Sequence, residues 1–478
     1  MTKQPTPLEL LALSALALMA LAPAGCHSGG GGAAHDGGAG ADGGRAGADG
    51  GAAGAPDGGG DATAACTAGG QGQLVLAVTG LPAGSAPMVR LNGGGLAAPM
   101  VLPVGTPVSL TGGKDYVVET RRFKVAPAAG AIVGKAYYVS GSSFDGCVRA
   151  DATTTVTLTY TQEPGSEHVW VGVSNAATLG NELGGFAGGD LVATAAKNPM
   201  IWKTQNFVGR PGAGAFDPFG DFWVPGGDVV NMYKMETLAT PGSAPPEVIL
   251  TQPANAPATF AAFDSQGNLW ISRGAPANQV VRYTVVDQQA SGSPTPAVIL
   301  SGAHVMNPSA LAFDFDGNLW VASQATDEVV AFAPAHQGAS YTGAPDVVLT
   351  AQTAAGAPVQ GPYTGPTGLA IDQSKTLWVG FEGKLVGFTH DQQGTSATIM
   401  GPLAVDISTG TGGFGFDESG GLWVGGGDPK TFRRYPKTAL AATGTPTPDI
   451  VITSSDFGDA ESIVLDPAPT WSPLQDLL

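Results

Sequence analysis

The alternation of apolar and polar residues predicts a series of short β-strands after residue 66. In residues 153–160, Val156, Leu158 and Tyr160 alternate with threonines, as expected for a strand with one buried face. Similar runs occur at 73–80, 87–92, 106–112, 115–122 and 135–140. Clusters of Gly, Pro and Ser separate them. We therefore predict a small antiparallel β-sandwich-like domain over residues 66–162.

A repeat in three parts fills most of the remaining chain. In its first part an Asp precedes a Trp by six residues, and the five pairs are Asp217 and Trp223, Asp264 and Trp270, Asp314 and Trp320, Asp372 and Trp378, and Asp417 and Trp423. A run of aliphatic residues with an aromatic follows each Trp, as in VVRYT at 280–284. The third part is an aliphatic run, found at 245–251, 295–301, 344–350, 396–401 and 447–453. The first part spans two strands, because one strand ends at the Asp and the next begins at the Trp, so each unit has four short strands. Repeating units of four short strands are typical of the blades of a β-propeller.

The repeat also predicts what its residues do and how the ring closes. Each Asp should form the tight turn between the first two strands, and each Trp should pack between adjacent blades. Residues 462–466 match a first strand without a following blade, and residues 168–174 match a second strand without a preceding one. With 188–195 and 198–204 as third and fourth strands, the two ends would share one blade. Five internal blades and this composite blade predict a six-bladed all-β ring. Trp471 could instead begin a rival second strand, and seven blades are then the alternative.

Residues 165–470 resemble NHL repeats and, more loosely, the propellers of streptogramin lyases and gluconolactonases. The resemblance rests on a core of the form Asp-x-x-Gly-Asn-Leu-Trp, which is best kept in Asp264–Ile271 and Asp314–Val321. It implies the propeller fold. NHL-type propellers mostly bind partners, whereas the other relatives include a lyase and calcium-dependent lactonases with His, Glu, Asn or Asp at the channel mouth. No motif of this chain matches those residues.

Residues 1–26 have the layout of an export signal. Lys3 precedes an apolar run from Leu10 to Ala22, which is too short to span a membrane. The ending Ala-Gly-Cys resembles the lipobox of bacterial lipoproteins, although Pro23 stands where that family usually has an aliphatic residue. The resemblance implies lipidation of Cys26, and an ordinary signal peptide is the alternative. Residues 27–65 are mostly Gly, Ala and Asp, so we predict a disordered tether.

The composition limits the expected partners. The chain has 21 Lys and Arg against 39 Asp and Glu, and its net charge is −18. Nucleic acid and anionic lipid attract basic proteins, so we expect no nucleic-acid partner and contact with a membrane through the lipid anchor only. The 73 Gly and 37 Pro favour β structure with many turns. In an exported chain Cys66 and Cys147 remain as a pair, and we predict a disulfide between them.

Candidate chemistry is sparse. The repeated aspartates could suggest a metal, but a residue that recurs in every blade at a turn is better explained as structural. Residues 314–318 resemble part of a calcium loop and lack its Glu. His304 could face the channel mouth, whereas His336 and His390 follow third strands and should lie on outer loops. No Ser-His-Asp order and no Gly-x-Ser-x-Gly elbow occur in the sequence. We therefore assign no catalytic residue, no metal and no cofactor.

These observations favour a monomeric lipoprotein of the cell envelope, held in the outer membrane or at the cell surface, whose propeller binds or scaffolds a protein or glycan. The alternative is a hydrolase or lyase that works in the central channel, and a purely structural envelope protein is a third possibility. The channel lining discriminates between the first two. Three or more carboxylate, Asn or His groups within about 3 Å of a common point would favour an enzyme. A lining of Gly, Ala and Val would argue against one.

Overall fold

The computed structural model describes residues 66–473 apart from 67, 114, 175–180, 205–210, 243, 353–364, 382, 401, 408–411, 426–429 and 457–458. The predicted signal segment 1–26, the lipidation site Cys26 and the predicted tether 27–65 lie outside the described residues. No helix within the described ranges is long and apolar enough to cross a membrane.

The N-terminal part of the described chain is a small domain of two packed sheets. Its strands are, in order, β1 (Gln71–Thr79), β2 (Val89–Gly93), β3 (Met100–Val101), β4 (Val108–Thr111), β5 (Tyr116–Thr120), β6 (Phe123–Val125), β7 (Lys135–Ser142) and β8 (Thr153–Gln162). One sheet has the order β4-β1-β8-β7-β6 and the other the order β3-β2-β5. Apolar residues of both sheets form one core, in which Leu74, Leu91 and Val156 are fully buried.

This domain departs from the expected antiparallel arrangement in one strand pair. β1 and β8 run parallel, with Leu76 opposite Val156. A parallel pair needs a long connection, and here all the other strands of the domain lie between its first and last strands. The predicted disulfide is present, because Cys66 is bonded to Cys147 with Cα atoms 5.9 Å apart.

The rest of the described chain forms the propeller. Its strands are, in order, β9 (His168–Ser174), β10 (Asn181–Ala187), β11 (Ala195–Ala196), β12 (Ile201–Thr204), β13 (Ala215–Phe216), β14 (Phe222–Gly226), β15 (Val229–Tyr233), β16 (Val248–Thr251), β17 (Ala258–Phe263), β18 (Leu269–Arg273), β19 (Gln279–Tyr283), β20 (Val298–Leu300), β21 (Pro308–Phe313), β22 (Leu319–Ser323), β23 (Glu328–Phe332), β24 (Val347–Gln352), β25 (Gly368–Ile371), β26 (Leu377–Phe381), β27 (Lys384–Phe388), β28 (Ala397–Met400), β29 (Leu403–Asp406), β30 (Phe414–Phe416), β31 (Leu422–Gly425), β32 (Thr431–Tyr435), β33 (Ile450–Thr453) and β34 (Asp459–Asp466). One turn of α-helix, α1 (Met235–Leu238), lies in a connection. Short 3-10 helices occupy Gly188–Leu191, Gln324–Thr326, Pro334–His336, His390–Gln393 and Lys437–Leu440.

Within the described residues these strands build six sheets with an antiparallel core of four strands each. From the innermost strand outwards the orders are β34-β9-β10-β12, β13-β14-β15-β16, β17-β18-β19-β20, β21-β22-β23-β24, β25-β26-β27-β29 and β30-β31-β32-β33. The second strands β14, β18, β22, β26 and β31 are buried at every residue. A strand that packs on both faces consists of a continuous apolar run, which explains why the Leu-Trp-Val segments do not alternate.

The sheet that joins the two ends of the propeller confirms one predicted pairing and corrects a predicted strand. β34 pairs with β9, with Ile463 opposite Val171. The third strand is β10, and not residues 188–195, which form a 3-10 helix followed by β11. The apolar pattern misses β10 because Gly184 and Gly185 interrupt it. A Cβ atom on Gly184 would lie 2.8 Å from Pro199, and one on Gly185 would lie 3.0 Å from the Trp170 ring, so neither position has room for a side chain.

Trp471 does not begin a rival second strand. It lies outside the described strands, and its ring centre is 6.3 Å from that of Phe416. Its indole Nε1 donates a 3.0 Å hydrogen bond to the carbonyl oxygen of Glu418. The C-terminal segment therefore packs beside the innermost strand of an existing sheet and adds no strand to it.

The sheet β25-β26-β27-β29 corrects a second predicted strand. The sequence predicts its fourth strand at residues 396–401, but the fourth strand is β29. Residues 397–400 form β28, which runs parallel to β24 of the preceding sheet. An outermost strand has unpaired backbone groups at its edge, and β28 covers that edge. An aliphatic run alone does not distinguish an outermost strand from a segment that covers the neighbouring one.

The outermost strands of five sheets are covered in the same way, by a segment of the next sheet that carries a Ser or Thr. In five places among the described residues, the hydroxyl oxygen of a Ser or Thr accepts a hydrogen bond of 3.0 to 3.2 Å from a backbone N–H in the outermost strand of the preceding sheet. The pairs are Ser291 with Ile249, Ser340 with Ile299, Ser396 with Val348, Thr443 with Ala404 and Thr194 with Val451. Each of these residues lies seven positions before the outermost strand of its own sheet. This spacing is a sequence signal that a comparison of aliphatic runs misses.

Candidate functional site

A cavity of about 240 Å³ lies in the central channel, and the innermost strands of all six sheets contribute to its lining. The walls are mainly apolar, with seven aromatic residues: Phe216, Phe260, Phe263, Phe313, Phe414, Phe416 and Trp471. The charged lining residues are Arg122, Lys124, Asp217 and Asp264. Among the lining residues that the structure describes there is no His, Asn or Glu. The polar groups that an enzyme of this fold would need are thus few, and most of the surface is hydrocarbon.

Small residues on the innermost strands keep this cavity open. Each of these strands has a small or short residue opposite the Trp of the second strand, and the pairs are Ala215 with Trp223, Ala262 with Trp270, Ala312 with Trp320, Ala370 with Trp378, Gly415 with Trp423 and Val464 with Trp170. All six are partly exposed, although they lie near the centre of the ring. In sequence they stand two positions before the repeated Asp, a signal that the comparison of Asp and Trp alone does not use.

The repeated aspartates have the same contacts in the five internal sheets. One carboxylate oxygen accepts hydrogen bonds from the backbone N–H groups two and four residues later, and the other accepts one from the indole of the Trp. For Asp314 the distances are 2.9 Å to Asp316 N, 2.8 Å to Asn318 N and 2.9 Å to Trp320 Nε1. Each carboxylate is therefore occupied by the turn that it forms, and the spacing of six residues follows from the indole bond.

Asp466 stands at the equivalent place in the composite sheet but makes a different contact. No tight turn joins β34 to β9, because the two strands come from opposite ends of the propeller. Asp466 Oδ1 accepts a 2.6 Å hydrogen bond from Nη2 of Arg122, a residue of the small domain. Trp170 Nε1 has no hydrogen-bond partner in the described part of the chain. Because Asp466 forms no turn, its carboxylate is available to bind Arg122 and so attaches the small domain to the propeller.

Arg122 lies at the centre of a buried group of charges, which we call the charge cluster and define as Arg122, Glu163, Asp217, Asp221 and Asp466. Its guanidinium lies 3.0 Å from the carboxylate of Glu163, and the side chains of Arg122, Glu163 and Asp466 are at most 4% exposed. Burial alone would lower the pKa of Arg122, but Asp466 and Glu163 outweigh it and hold that pKa above its usual value. Burial and the nearby carboxylates raise the pKa of Glu163, against the effect of Arg122.

The small domain packs on the end of the propeller that carries the turns between first and second strands, which we call the covered face (turns 217–221, 264–268, 314–318, 372–376 and 417–421). Arg122 N donates to Pro218 O at 3.2 Å, and Arg121 Nη2 donates to Ser265 O at 2.6 Å. Lys124 Nζ donates to Pro469 O at 3.1 Å. Because Arg122, Lys124 and Pro469 also line the cavity, the small domain and the C-terminal segment border the channel at this face.

Asp217 differs from the other turn aspartates in its neighbour. In the next two sheets the turn ends in Asn268 or Asn318, whose amide donates a hydrogen bond to the Asp carboxylate. The equivalent residue here is Asp221. Burial and the carboxylate of Asp221 raise the pKa of Asp217 to about 7, in spite of the hydrogen bonds that Asp217 accepts. Asp217 therefore keeps its proton up to a pH of about 7.

Replacing Asp221 by Asn is expected to weaken the pH dependence of stability. The folded protein keeps the Asp217 proton up to about pH 7, whereas an unfolded Asp releases it near pH 4. The stabilisation from that proton is present at acid pH and is lost as the pH rises from about 4 to about 7. Asp221→Asn should lower the pKa of Asp217 and raise the free energy of unfolding at pH 7. Urea unfolding between pH 4 and 8 measures both effects.

The next sheet offers the reciprocal control for that prediction. Asn268→Asp should create a second pair of carboxylates beside Asp264 and add a new decline of stability with rising pH. Identical pH profiles for the wild type and Asp221→Asn would contradict the role given to Asp221.

The opposite end of the propeller, which we call the open face, carries the turns between second and third strands and the connections between sheets. It includes a polar network in which Asn307 N donates to Asn278 Oδ1 at 2.7 Å and Ala275 N donates to Asn307 Oδ1 at 3.0 Å. His304 lies on the connection into β21, with Nδ1 2.8 Å from the carboxylate of Glu328. The described part of this face therefore presents hydrogen-bonding groups.

The other two histidines of the five internal sheets, His336 and His390, lie in 3-10 helices that follow third strands. His336 stacks on Tyr341 with ring centres 4.2 Å apart and lies 2.8 Å from the Asp346 carboxylate. His390 Nε2 is 3.9 Å from the carboxylate of Asp316. Across the described ranges, no group of three or more His, Cys, Asp or Glu is arranged to hold a metal ion.

Comparison with known proteins adds only weak likenesses to this description. The chain matches no protein-family model and no curated relative. A protein of unknown function from Bacteroides caccae is 10% identical with a TM-score of 0.40, over 60% of this chain and 98% of that one. Virginiamycin B lyase from Staphylococcus aureus is 13% identical with a TM-score of 0.34, over 48% and 67%. A streptogramin B lyase is 12% identical with a TM-score of 0.35, over 63% and 93%. These scores carry no argument about activity, and the fold follows from the strand order.

Proposed function

We propose that the protein is an exported, lipid-anchored binding protein of the bacterial cell envelope, whose propeller presents its open face to a protein or glycan without catalysing a reaction. The main support is the state of the acidic groups in the channel. Asp217 and Asp264 each hold a turn and a Trp indole. A hydrolase or lyase needs an acid or base whose oxygen can form a hydrogen bond with the substrate. Although Asp217 keeps a proton up to about pH 7, its Oδ1 accepts hydrogen bonds from two backbone N–H groups of the turn and its Oδ2 accepts one from the Trp223 indole. The geometry of these carboxylates therefore serves the fold.

The position of the small domain supports the choice of the open face. The predicted order along the chain is lipidated Cys26, tether 27–65, small domain and propeller. The small domain packs on the covered face through Arg121, Arg122 and Lys124. A partner of the propeller would therefore meet the other end, where Asn and Gln amides, His304 and Glu328 can donate and accept hydrogen bonds. We propose a monomer for the same reason, since one copy already presents this face.

Site-specific photo-crosslinking in intact cells tests this proposal. A photoreactive residue at the exposed position of Ala325, in the connection from β22 to β23, should give a discrete covalent adduct. The same residue at exposed Gln266, in a turn of the covered face, should not. Adducts from Gln266 alone would contradict the assignment of the faces. Steady hydrolysis of an aromatic lactone by the purified protein would show that the enzyme alternative is correct.

Mass spectrometry of the native protein tests the anchor. We expect a mature chain that begins at Cys26 and carries lipid. An unmodified Cys26 that is still joined to residues 1–25 would exclude the lipoprotein assignment and leave the binding role of the propeller to be judged by crosslinking.

A further inference from the structure

We propose that the channel cavity binds one small, uncharged and mainly apolar molecule. The inference rests on the proposed non-catalytic binding role and concerns the ligand class. It is independent of the partner at the open face, because the cavity lies towards the covered face, beside Arg122, Lys124 and Pro469.

The size of the cavity is the first support. The cavity has a volume of about 240 Å³ and opens to solvent, so water occupies it when no ligand is bound. Water against the phenylalanine rings finds few hydrogen-bond partners, and a ligand that displaces it buries apolar surface, which is favourable. The volume suits a fused pair of aromatic rings with a short substituent. Long acyl chains and oligosaccharides would not fit.

The lining supports an aromatic or aliphatic occupant. Phe216, Phe260 and Phe313 belong to three different sheets, and the phenylalanines as a group surround the space with rings that favour edge and face contacts with another ring. The partly exposed Ala262, Ala370 and Val464 lie between them. Larger side chains at these positions would fill the space, so their small size makes room for a ligand.

The charges of the lining support a neutral ligand. Arg122 is balanced by Asp466 and Glu163, so the cavity wall does not offer an uncompensated positive charge to an anion. The Lys124 ammonium donates a hydrogen bond to Pro469 O. The Nε of Arg122 has no hydrogen-bond partner among the residues described, but it is fully buried and out of reach of a molecule in the cavity. The ligand is therefore held by apolar contacts.

Fluorescence of the full-length protein with 6-propionyl-2-(dimethylamino)naphthalene tests the inference. This probe is uncharged, has two fused rings and a ketone oxygen, and its emission shifts to the blue in apolar surroundings. We expect saturable binding of one probe per protein, with a blue-shifted emission. The sulfonated dye 1-anilinonaphthalene-8-sulfonate has similar rings and a negative charge, and it should bind at least tenfold more weakly. Equal binding of the two dyes would overturn the requirement for an uncharged ligand.

Cavity-filling variants locate the bound probe. Ala370→Leu and Ala262→Leu should each weaken its binding at least tenfold, and the milder Ala370→Val should weaken it measurably if either Leu variant fails to fold. Ala290→Leu, at an exposed position outside the cavity, is the matched control and should bind as the wild type does. Unchanged binding in folded Ala370→Val and Ala370→Leu, or no saturable binding to the wild type, would overturn the inference. Neither result would affect the crosslinking test of the open face, so the two proposals can fail separately.

Discussion

Replacing Arg122 by Met is expected to lower the free energy of unfolding by about 3 to 5 kcal/mol, the usual effect of removing one partner from a buried ion pair. The carboxylates of Glu163 and Asp466 are fully buried and lie 3.0 Å and 2.6 Å from the guanidinium. Without Arg122 they would be left in the interior with no compensating charge. Met occupies a similar volume, so the loss reports charge and hydrogen bonding more than packing. Urea unfolding at pH 7, followed by tryptophan fluorescence, measures it.

Two further variants make the Arg122 prediction specific. Arg149→Met removes an Arg from an ion pair of 2.7 Å with Asp145, but these side chains are 35% and 50% exposed, so the expected loss is below about 1 kcal/mol. Adding Glu163→Gln and Asp466→Asn to Arg122→Met neutralises the stranded carboxylates and should recover most of the stability. Similar losses for both Arg variants, or no recovery in the triple variant, would contradict the role of the charge cluster.

Removing the disulfide by Cys66→Ala with Cys147→Ala is expected to cost about 4 kcal/mol of unfolding free energy. The two cysteines are 81 residues apart in sequence, and a cross-link that closes a loop of that length restricts the unfolded chain strongly. Cys147 is buried and follows Gly146, whose carbonyl accepts the N–H of Tyr116. The lost constraint should therefore weaken the small domain first. Unfolding curves of the two proteins under oxidising conditions measure the difference.

Ala68→Ser is the control for the disulfide variant, because it changes an exposed residue two positions after Cys66 and leaves the Cys66–Cys147 bond in place. It should unfold at the same urea concentration as the wild type. If the double Ala variant also unfolded there, the disulfide would not limit stability. Adding a reducing agent to the wild type should reproduce the effect of the double variant and leave that variant unchanged.

Both predictions concern how the small domain is held. The disulfide joins its beginning to the segment before its last strand, whereas Arg122 joins it to the propeller through Asp466. The charge cluster gathers residues that follow β5 and β8, a turn of the first internal sheet and the end of β34. Because these segments meet only in the folded chain, loss of Arg122 should affect the propeller as well as the small domain.

Local features of the molecule could be predicted from the sequence, because they depend on residues close together in the chain. The turn around Asp314 and its bond to Trp320 lie within seven residues, and the same contacts recur in the other internal sheets. The predicted strand at 462–466 and its partner at 168–174 pair as expected, since both keep the pattern of the repeat. The small domain has strands at all six predicted places, and its disulfide joins the two cysteines that the sequence left as a pair.

Tertiary structure alone decided the features that depend on distant segments. β10 lacks an apolar pattern because its glycines make room for Pro199 and Trp170, and residues 397–400 cover β24 instead of ending their own sheet. Asp466 has the sequence context of a turn residue, yet it binds Arg122, because no turn follows it and the small domain packs against it. The apolar channel is likewise a property of six strands brought together. The repeat by itself predicted a ring, and only the packed ring shows which side chains face its centre and which carboxylates are already bound.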